Sequence, residues 1–176
     1  MTSVALVIGH KEDSPGACHR GGVCEFDFNV RLVYQVAELL RETSIKTHVV
    51  YRDTYKGLPE KINAIEPDLI IEFHCNAFNG DTSGTEVLYW HNSDRGKFFA
   101  GLLQRRLIGA LGLIDRGIKA IDRDERGGYL LKHTKAPCVI AEPFFIDNSA
   151  DLQTAYDNFM NLADAYAAAI TDYKGV

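Results

Sequence analysis

Short apolar runs alternate along the chain with longer segments in which apolar residues recur at helical spacing. Runs of about four to eight apolar residues bounded by turn residues are typical of strands, whereas apolar residues that recur every three or four positions are typical of helices. A polar, glycine-rich loop is predicted at residues 122–128, after a short extended piece at 117–119. The predicted strands are 4–8, 47–51, 68–74, 84–90 and 136–141, and the predicted helices are 25–42, 58–65, 98–111 and 150–173.

Alternating strands and helices predict an α/β protein with a twisted, mostly parallel sheet that is flanked by helices on both faces. The first and third strands are joined by helical crossovers and should run parallel, and the last strand is a candidate for the same parallel set. The chain has 176 residues, of which 46% are hydrophobic and 24% are charged. These values are ordinary for a globular protein, so we expect one domain, residues 1–176, with a substantial core.

The net charge of −5 and the scattered basic residues give no reason to expect nucleic-acid binding. No stretch approaches the roughly 20 apolar residues that a membrane span needs, so no membrane insertion is expected. The amino terminus lacks the basic region of a signal peptide, and its apolar run is too short for one. We therefore expect synthesis in the cytoplasm, with release by another factor if the protein acts elsewhere.

A cytosolic start favours free thiols for the four cysteines, which are Cys18, Cys24, Cys75 and Cys138. Cys75 and Cys138 lie at strand positions, where a buried cysteine behaves as a small hydrophobic residue. Cys18 and Cys24 lie in a glycine-rich loop with His19 between them. A separate metal site on this loop stays an alternative, although the spacing matches no strong zinc pattern.

Ionisable side chains follow three of the predicted strands: His10 follows the first, His74 the third and Glu142 the last. Glu25 opens the first helix, after a loop that is long enough to fold back over the sheet. Ligands bind to open α/β sheets at the carboxyl ends of the strands. We therefore expect these four side chains to meet at one edge of the sheet.

Two imidazoles and one carboxylate are a known ligand set for catalytic zinc, with a fourth position left for water. A second carboxylate is then needed as general base and acid, and Glu142 fits that role. Structural roles are the alternatives: the histidines can be hydrogen-bonded strand-end residues, Glu25 can stabilise a helix start, and Glu142 can be a solvated loop acid. Residue types and spacing alone leave these alternatives open.

Several motifs in collinear order resemble the zinc-dependent N-acetylmuramoyl-L-alanine amidases of the cell-separation and phage-lysin type. The resemblance extends over residues 4–173, and Arg52, Asp53 and residues 116–118 also match the family's pattern. Several motifs in order are more specific than any one of them. They comprise His10 after a short strand, Glu25 at a helix start, and the segments 73–77 (FHCNA), 84–89 (GTEVLY) and 141–148 (AEPFFIDN).

The resemblance implies an α/β fold of the phosphorylase/hydrolase-like kind with one zinc ion. It implies that His10, Glu25 and His74 are the metal ligands and that Glu142 is the catalytic carboxylate. The implied reaction is hydrolysis of the amide that joins the lactyl group of N-acetylmuramic acid to the L-alanine of the peptidoglycan stem peptide.

Three features depart from the family's pattern: Lys11 after the first histidine, Cys75, and residues 143–144, where Thr-Gly is frequent. They affect loop shapes and remove no implied ligand. Regulated family members carry a blocking helix, and residues 112–128 are too short and too rich in glycine and charge to indicate one. We therefore expect an open cleft.

A bare catalytic domain without an export signal favours a phage or prophage endolysin, monomeric and released by a separate membrane-perforating partner (a holin). A bacterial autolysin or wall-recycling amidase is an alternative within the same chemistry. A zinc peptidase that cuts within the stem peptide and a non-catalytic wall-binding module are alternatives of other classes.

Some side chains are weaker candidates for substrate contact. His19 and His133 either line the cleft or are exposed, and residues 89–90 (Tyr-Trp) either stack on sugar or pack against the sheet. The basic residues that either meet the anionic stem peptide or form an exposed charged face are Arg123, Arg126 and Lys132.

Overall fold

A six-stranded sheet forms the centre of the computed structural model, which describes residues 3–173. In spatial order the strands are β2-β1-β3-β6-β4-β5. β4 runs antiparallel to β6, whereas all the other neighbouring strands are parallel. The prediction of a mostly parallel sheet is therefore confirmed. The bounds are β1 Ser3–Ile8, β2 Lys46–Tyr51, β3 Leu69–Phe73, β4 Thr85–Trp90, β5 Asp115–Ile121 and β6 Cys138–Glu142.

Helices cover both faces of the sheet, as predicted. One apolar core packs against α1, α3, α5 and α6 and contains Phe28, Phe99 and Tyr166, while a smaller core on the other face packs against α2 and α4 and contains Leu58 and Leu130. The bounds are α1 Glu25–Leu40, α2 Leu58–Asn63, α3 Asp94–Leu111, α4 Gly128–His133, α5 Ser149–Asp157 and α6 Phe159–Asp172.

α1 and α2 each end two residues before their predicted ends, and the other two predicted helices differ more. α3 begins at Asp94 rather than at 98, because the Ser93 hydroxyl accepts a hydrogen bond from the Gly96 amide and caps a polar first turn. It ends at Gly112, as predicted, in the left-handed conformation (φ 65°). The predicted terminal helix 150–173 is two helices, and Asn158 separates α5 from α6 in a non-helical conformation.

The short helix α4 was not predicted, since its residues follow a polar, glycine-rich loop and span only six positions. The extended piece predicted at 117–119 is the middle of β5. None of the helices within residues 3–173 has the length and hydropathy that a bilayer crossing would need.

The register of the parallel strands aligns their carboxyl ends. Ile8 of β1 lies opposite Phe73 of β3, and Phe73 lies opposite Ala141 of β6. The residues that follow these positions therefore leave the sheet side by side. This edge is where the candidate functional side chains lie.

Candidate metal centre

Three side chains with metal-ligating atoms converge at the carboxyl edge of the sheet. His10 follows β1, His74 follows β3, and Glu25 is the first residue of α1. One possible ligand atom from each lies within 4.8 Å of the other two. The expectation that these residues meet is thus fulfilled, and the donor set of two imidazoles and one carboxylate suits a zinc ion.

The carboxylate of Glu25 stands between the two imidazoles. Its Oε2 atom lies 3.4 Å from His10 Nε2 and 3.2 Å from His74 Nδ1. The two rings are 4.7 Å apart between centroids and nearly perpendicular, at 75°. The three donor atoms are therefore close enough to share one ion, and a ligand set of three residues leaves a fourth position for water in catalytic zinc sites.

Backbone amides hold Glu25 in this position. The Ala17 amide donates a hydrogen bond to Oε1 (2.8 Å), and the Cys75 amide donates one to Oε2 (3.0 Å). The Glu25 amide in turn donates to the Ala17 carbonyl at 3.0 Å. The loop before α1 and the segment after β3 thus orient the same carboxylate, although they are far apart in the sequence.

The loop before α1 is closed by a disulfide between Cys18 and Cys24. The prediction of free thiols is wrong for this pair, because an isolated antiparallel bridge brings the two residues together at the two ends of the loop's turn. The disulfide also excludes a separate metal site on these two thiols. Cys75 and Cys138 are free and buried, as predicted.

Close approach between the first two strand ends constrains the backbone. A Cβ atom on Gly9 would lie only 2.6 Å from His74 Nε2, so only glycine leaves room for that imidazole. His10 itself has a φ of 66°, which is uncommon for a residue with a side chain. Such backbone strain concentrates at functional sites, where the surrounding structure maintains it.

Buried charges shift the pKa values of two of the three side chains. Burial alone would raise the pKa of Glu25, but hydrogen bonds from His10 and His74 hold it well below its usual value. Burial alone would lower the pKa of His74, but the carboxylates of Glu72 and Glu25 raise it to about 10. Without a metal ion, His74 is therefore a buried imidazolium between two carboxylates.

Glu142, the last residue of β6, lies in the same cleft with 1% of its surface exposed. Its Oε1 accepts a hydrogen bond from Arg126 Nη2 at 2.5 Å, and its Oε2 has no partner within residues 3–173. Burial raises the pKa of Glu142, while the charges of Arg126 and His74 partly oppose this. The interpretation of Glu142 as a solvated loop acid is therefore wrong.

The cleft has a volume of about 620 Å³. Of the residues that line it, Glu72 was not identified from the sequence, and Arg126 was only a weak candidate for substrate contact. Glu72, on β3, is buried in the cleft beside His74. The signal was present: an acid interrupts an otherwise apolar strand two residues before a histidine. Arg126, from the loop that precedes α4, contacts Glu142 directly.

The weaker candidates divide between the cleft and other surfaces. Arg123 and Arg126 line the cleft, together with Arg52, Tyr55 and Tyr129. The following candidates do not line it: half-buried His19, which contacts Ser149; exposed His133; Lys132, which lies over the Trp90 ring; and Tyr89 and Trp90, which pack in the two cores.

A protein-family model described as N-acetylmuramoyl-L-alanine amidase matches residues 4–172. The chain belongs to the N-acetylmuramoyl-L-alanine amidase family. This confirms the resemblance found in the sequence. N-acetylmuramoyl-L-alanine amidase LytC of Bacillus subtilis is 28% identical over 150 residues, which are 81% of this chain and 29% of that relative. The chain thus spans less than a third of the length of this relative.

Solved structures show that the fold is that of the amidase family. The N-acetylmuramoyl-L-alanine amidase from Clostridium difficile 630 superimposes with a TM-score of 0.89 at 19% identity, over 99% of this chain and 98% of that chain. The catalytic domain of the CD27L endolysin targeting Clostridia difficile superimposes with a TM-score of 0.80 at 25% identity, over all of both chains.

Proposed function

We propose that this protein is a zinc-dependent amidase that cleaves the bond between N-acetylmuramic acid and L-alanine in peptidoglycan. The observation that carries the proposal is the convergence of His10, Glu25 and His74 beside a buried fourth side chain, Glu142, in a chain of this family. The cleft is large enough for a peptide and part of a sugar.

The residues fit one zinc ion. Two imidazole nitrogens and one carboxylate oxygen are close enough to share an ion, and Glu25 is kept ionised by its hydrogen bonds. When bound, zinc supplies Lewis-acid chemistry that activates water and polarises the scissile carbonyl. In this proposal His10, Glu25 and His74 hold the ion and keep one position open.

Glu142 is proposed to move the proton. The general base must take a proton from the attacking water and pass it to the alanine nitrogen as the amide breaks. Arg126 holds Oε1, so the unpartnered Oε2 is the oxygen available to carry this proton. The raised pKa that burial gives Glu142 makes its protonated form easier to reach at neutral pH.

The cleft lining suits an anionic peptide attached to a sugar. Five acidic residues line the cleft, and three arginines, Arg52, Arg123 and Arg126, supply local positive charge among them. Guanidinium groups bind carboxylates in two-point contacts, and stem peptides carry carboxylates. Tyr55 and Tyr129 add aromatic surface on which an apolar part of the substrate can pack.

For the biological setting we propose cell lysis by a phage or prophage endolysin that a separate holin releases through the membrane. The similarity to the catalytic domain of the CD27L endolysin supports this setting. The similarity to LytC supports the alternative of a bacterial wall amidase. Production of the protein in the cytoplasm of host cells separates the two, since an endolysin should cause lysis only when a holin is co-expressed.

The chemistry is tested by digestion of purified peptidoglycan followed by mass spectrometry. We expect free peptides that begin with L-alanine and glycan strands whose N-acetylmuramic acid units carry free lactyl carboxylates. A chelator should abolish the release, and added zinc should restore it. Fragments in which L-alanine stays attached to the sugar would instead indicate a peptidase, and binding without any product would indicate a wall-binding module.

A further inference from the structure

Glu72 is a buried carboxylate to which the proposed mechanism assigns no role. It lies on β3 between Val7 of β1 and Ile140 of β6, and 1% of its surface is exposed. An ionised carboxylate among apolar neighbours costs several kcal/mol unless charged or hydrogen-bonding groups compensate it. A group of this kind inside the cleft needs a specific partner.

The partner of Glu72 is the imidazole of His74. Residues two apart on a strand face the same side of the sheet, and Glu72 Oε2 lies 3.4 Å from His74 Nε2. The other ring nitrogen, Nδ1, lies 3.2 Å from Glu25 Oε2 in the metal centre. The two nitrogens of one ring therefore face two different carboxylates.

We propose that Glu72 is a positioning residue for the metal centre, on the basis of the metal binding proposed above. Its carboxylate keeps the proton of His74 on Nε2, so that the lone pair of Nδ1 points at the ion. A carboxylate behind a metal-ligating histidine fixes the tautomer and orientation of the ring and makes it a stronger donor. Glu72 contacts the ring on its Nε2 side, so it acts through His74 rather than as a ligand.

Charge balance supports the same role. With neutral imidazoles, the three converging residues carry a single negative charge, that of Glu25. Glu72 adds a second, and these two negative charges match one divalent cation, while the charge of Glu142 is balanced by Arg126. The second oxygen of Glu72, Oε1, has no partner within residues 3–173, so no other contact of this carboxylate explains its burial.

The proposal is tested by zinc affinity, measured with the whole chain by competition against a chromophoric chelator. Glu72→Gln keeps the shape and removes the charge, and Glu72→Ala removes both. Asp68→Asn is the matched control, because Asp68 precedes the same strand, is exposed, and its carboxylate accepts a hydrogen bond from the Ser3 amide, away from the cleft. We expect the dissociation constant of both Glu72 variants to rise about 10- to 100-fold, with the larger effect for alanine, and that of Asp68→Asn to stay unchanged.

A second measurement determines which ring nitrogen of His74 carries the proton. In the zinc-bound native protein, long-range proton–nitrogen correlation spectra should show His74 protonated on Nε2. Circular dichroism of the metal-free variants establishes that they fold, and the isosteric Glu72→Gln variant keeps the test valid if the alanine variant does not. A purely structural role would change thermal stability and leave zinc affinity untouched.

Native zinc affinity in both Glu72 variants, or a proton on Nδ1 of His74, would overturn the inference. These measurements need no peptidoglycan, so they separate this inference from the proposed function. Zinc binding that depends on Glu72 without hydrolysis of peptidoglycan would refute the amidase proposal alone. Zinc-dependent hydrolysis with unaltered affinity in the Glu72 variants would refute the role of Glu72 alone.

Discussion

Arg126 Nη2 lies 2.5 Å from Glu142 Oε1 and is the one cationic side chain in direct contact with this buried carboxylate within residues 3–173. Arg126 is largely exposed, whereas Glu142 is buried. The loop that precedes α4 therefore places a largely exposed arginine in contact with the proposed general base. The charge of Arg126 favours the ionised form of Glu142, against the effect of burial.

Replacement of Arg126 by alanine should shift the acid limb of the pH–activity profile to higher pH. Glu142 must be ionised to accept a proton, so activity falls as the pH drops through its pKa. Loss of Arg126 raises the pKa of Glu142 further, because the positive charge of Arg126 no longer opposes the effect of burial. The profile of kcat/KM against pH on a soluble muropeptide measures this shift.

Arg123→Ala is the matched control for that shift, since Arg123 lines the same cleft from the same loop and makes no ion pair with Glu142. Its acid limb should stay where the native one is. An unshifted limb in Arg126→Ala, or equal shifts in the two variants, would contradict the proposed contact with the general base.

Glu142→Gln should retain zinc and the fold but lose about 10²- to 10⁴-fold in turnover, as expected when a general acid–base group is removed. Zinc content, circular dichroism and initial rates on purified peptidoglycan measure the three properties. Glu125→Gln is a suitable control, because Glu125 lines the cleft but is exposed. Near-native turnover in Glu142→Gln would exclude Glu142 as the general base.

His74→Ala should abolish the stabilisation that zinc gives to the folded protein. A ligand that binds only the folded state adds about 2.7 kcal/mol at a concentration of 100 times its Kd, and the melting temperature rises accordingly. We expect this rise in the native protein and in His133→Ala, which alters an exposed histidine outside the cleft. Thermal scans with and without zinc test the prediction, and an equal rise in His74→Ala would contradict it.

Zinc affinity should increase with pH because the ion must displace a proton from His74. The pKa of this imidazole is raised to about 10, so the metal-free protein carries the proton at neutral pH. The affinity should therefore rise about tenfold per pH unit above neutrality, with release of about one proton per ion. Calorimetry in two buffers of different ionisation enthalpy counts the protons, and a pH-independent affinity would contradict the prediction.

The raised pKa of His74 also makes the stability of the metal-free protein depend on pH. A pKa that is higher in the folded than in the unfolded state stabilises the fold below the unfolded value of 6.5, and this contribution disappears as the pH rises through about 10. Denaturant unfolding of the metal-free protein should therefore show decreasing stability over this range. Zinc should remove the trend, since it replaces the proton on Nδ1.

Reduction of the Cys18–Cys24 disulfide should destabilise the protein by about 2 kcal/mol, the chain-entropy value for such a short loop. It should also weaken zinc binding, because the closed loop carries the Ala17 amide that donates to Glu25. Denaturant titrations with and without reductant measure the first effect. The double variant Cys18→Ser, Cys24→Ser should be insensitive to reductant, and a stability that reductant does not change in the native protein would contradict the prediction.

The sequence alone was sufficient to predict the mostly parallel sheet and the residues that meet at its edge. Apolar runs that end in His10, His74 and Glu142 identify strand ends, and the helical period that starts at Glu25 identifies a helix start. Parallel strands joined by crossovers have their carboxyl ends at one edge, so the convergence follows from topology. No knowledge of side-chain conformations is needed for that step.

Other features depended on how the loops fold over this edge. The disulfide of Cys18 and Cys24 and the contact of Arg126 with Glu142 are distances between side chains, and neither composition nor periodicity encodes them. The period of a strand places Glu72 and His74 on one face, but only the tertiary structure gives the 3.4 Å contact between them. The local spacing of apolar and polar residues indicates which face of a helix or strand is buried. Only the packed tertiary structure determines which charge lies beside which, because loop conformation and burial together set those distances.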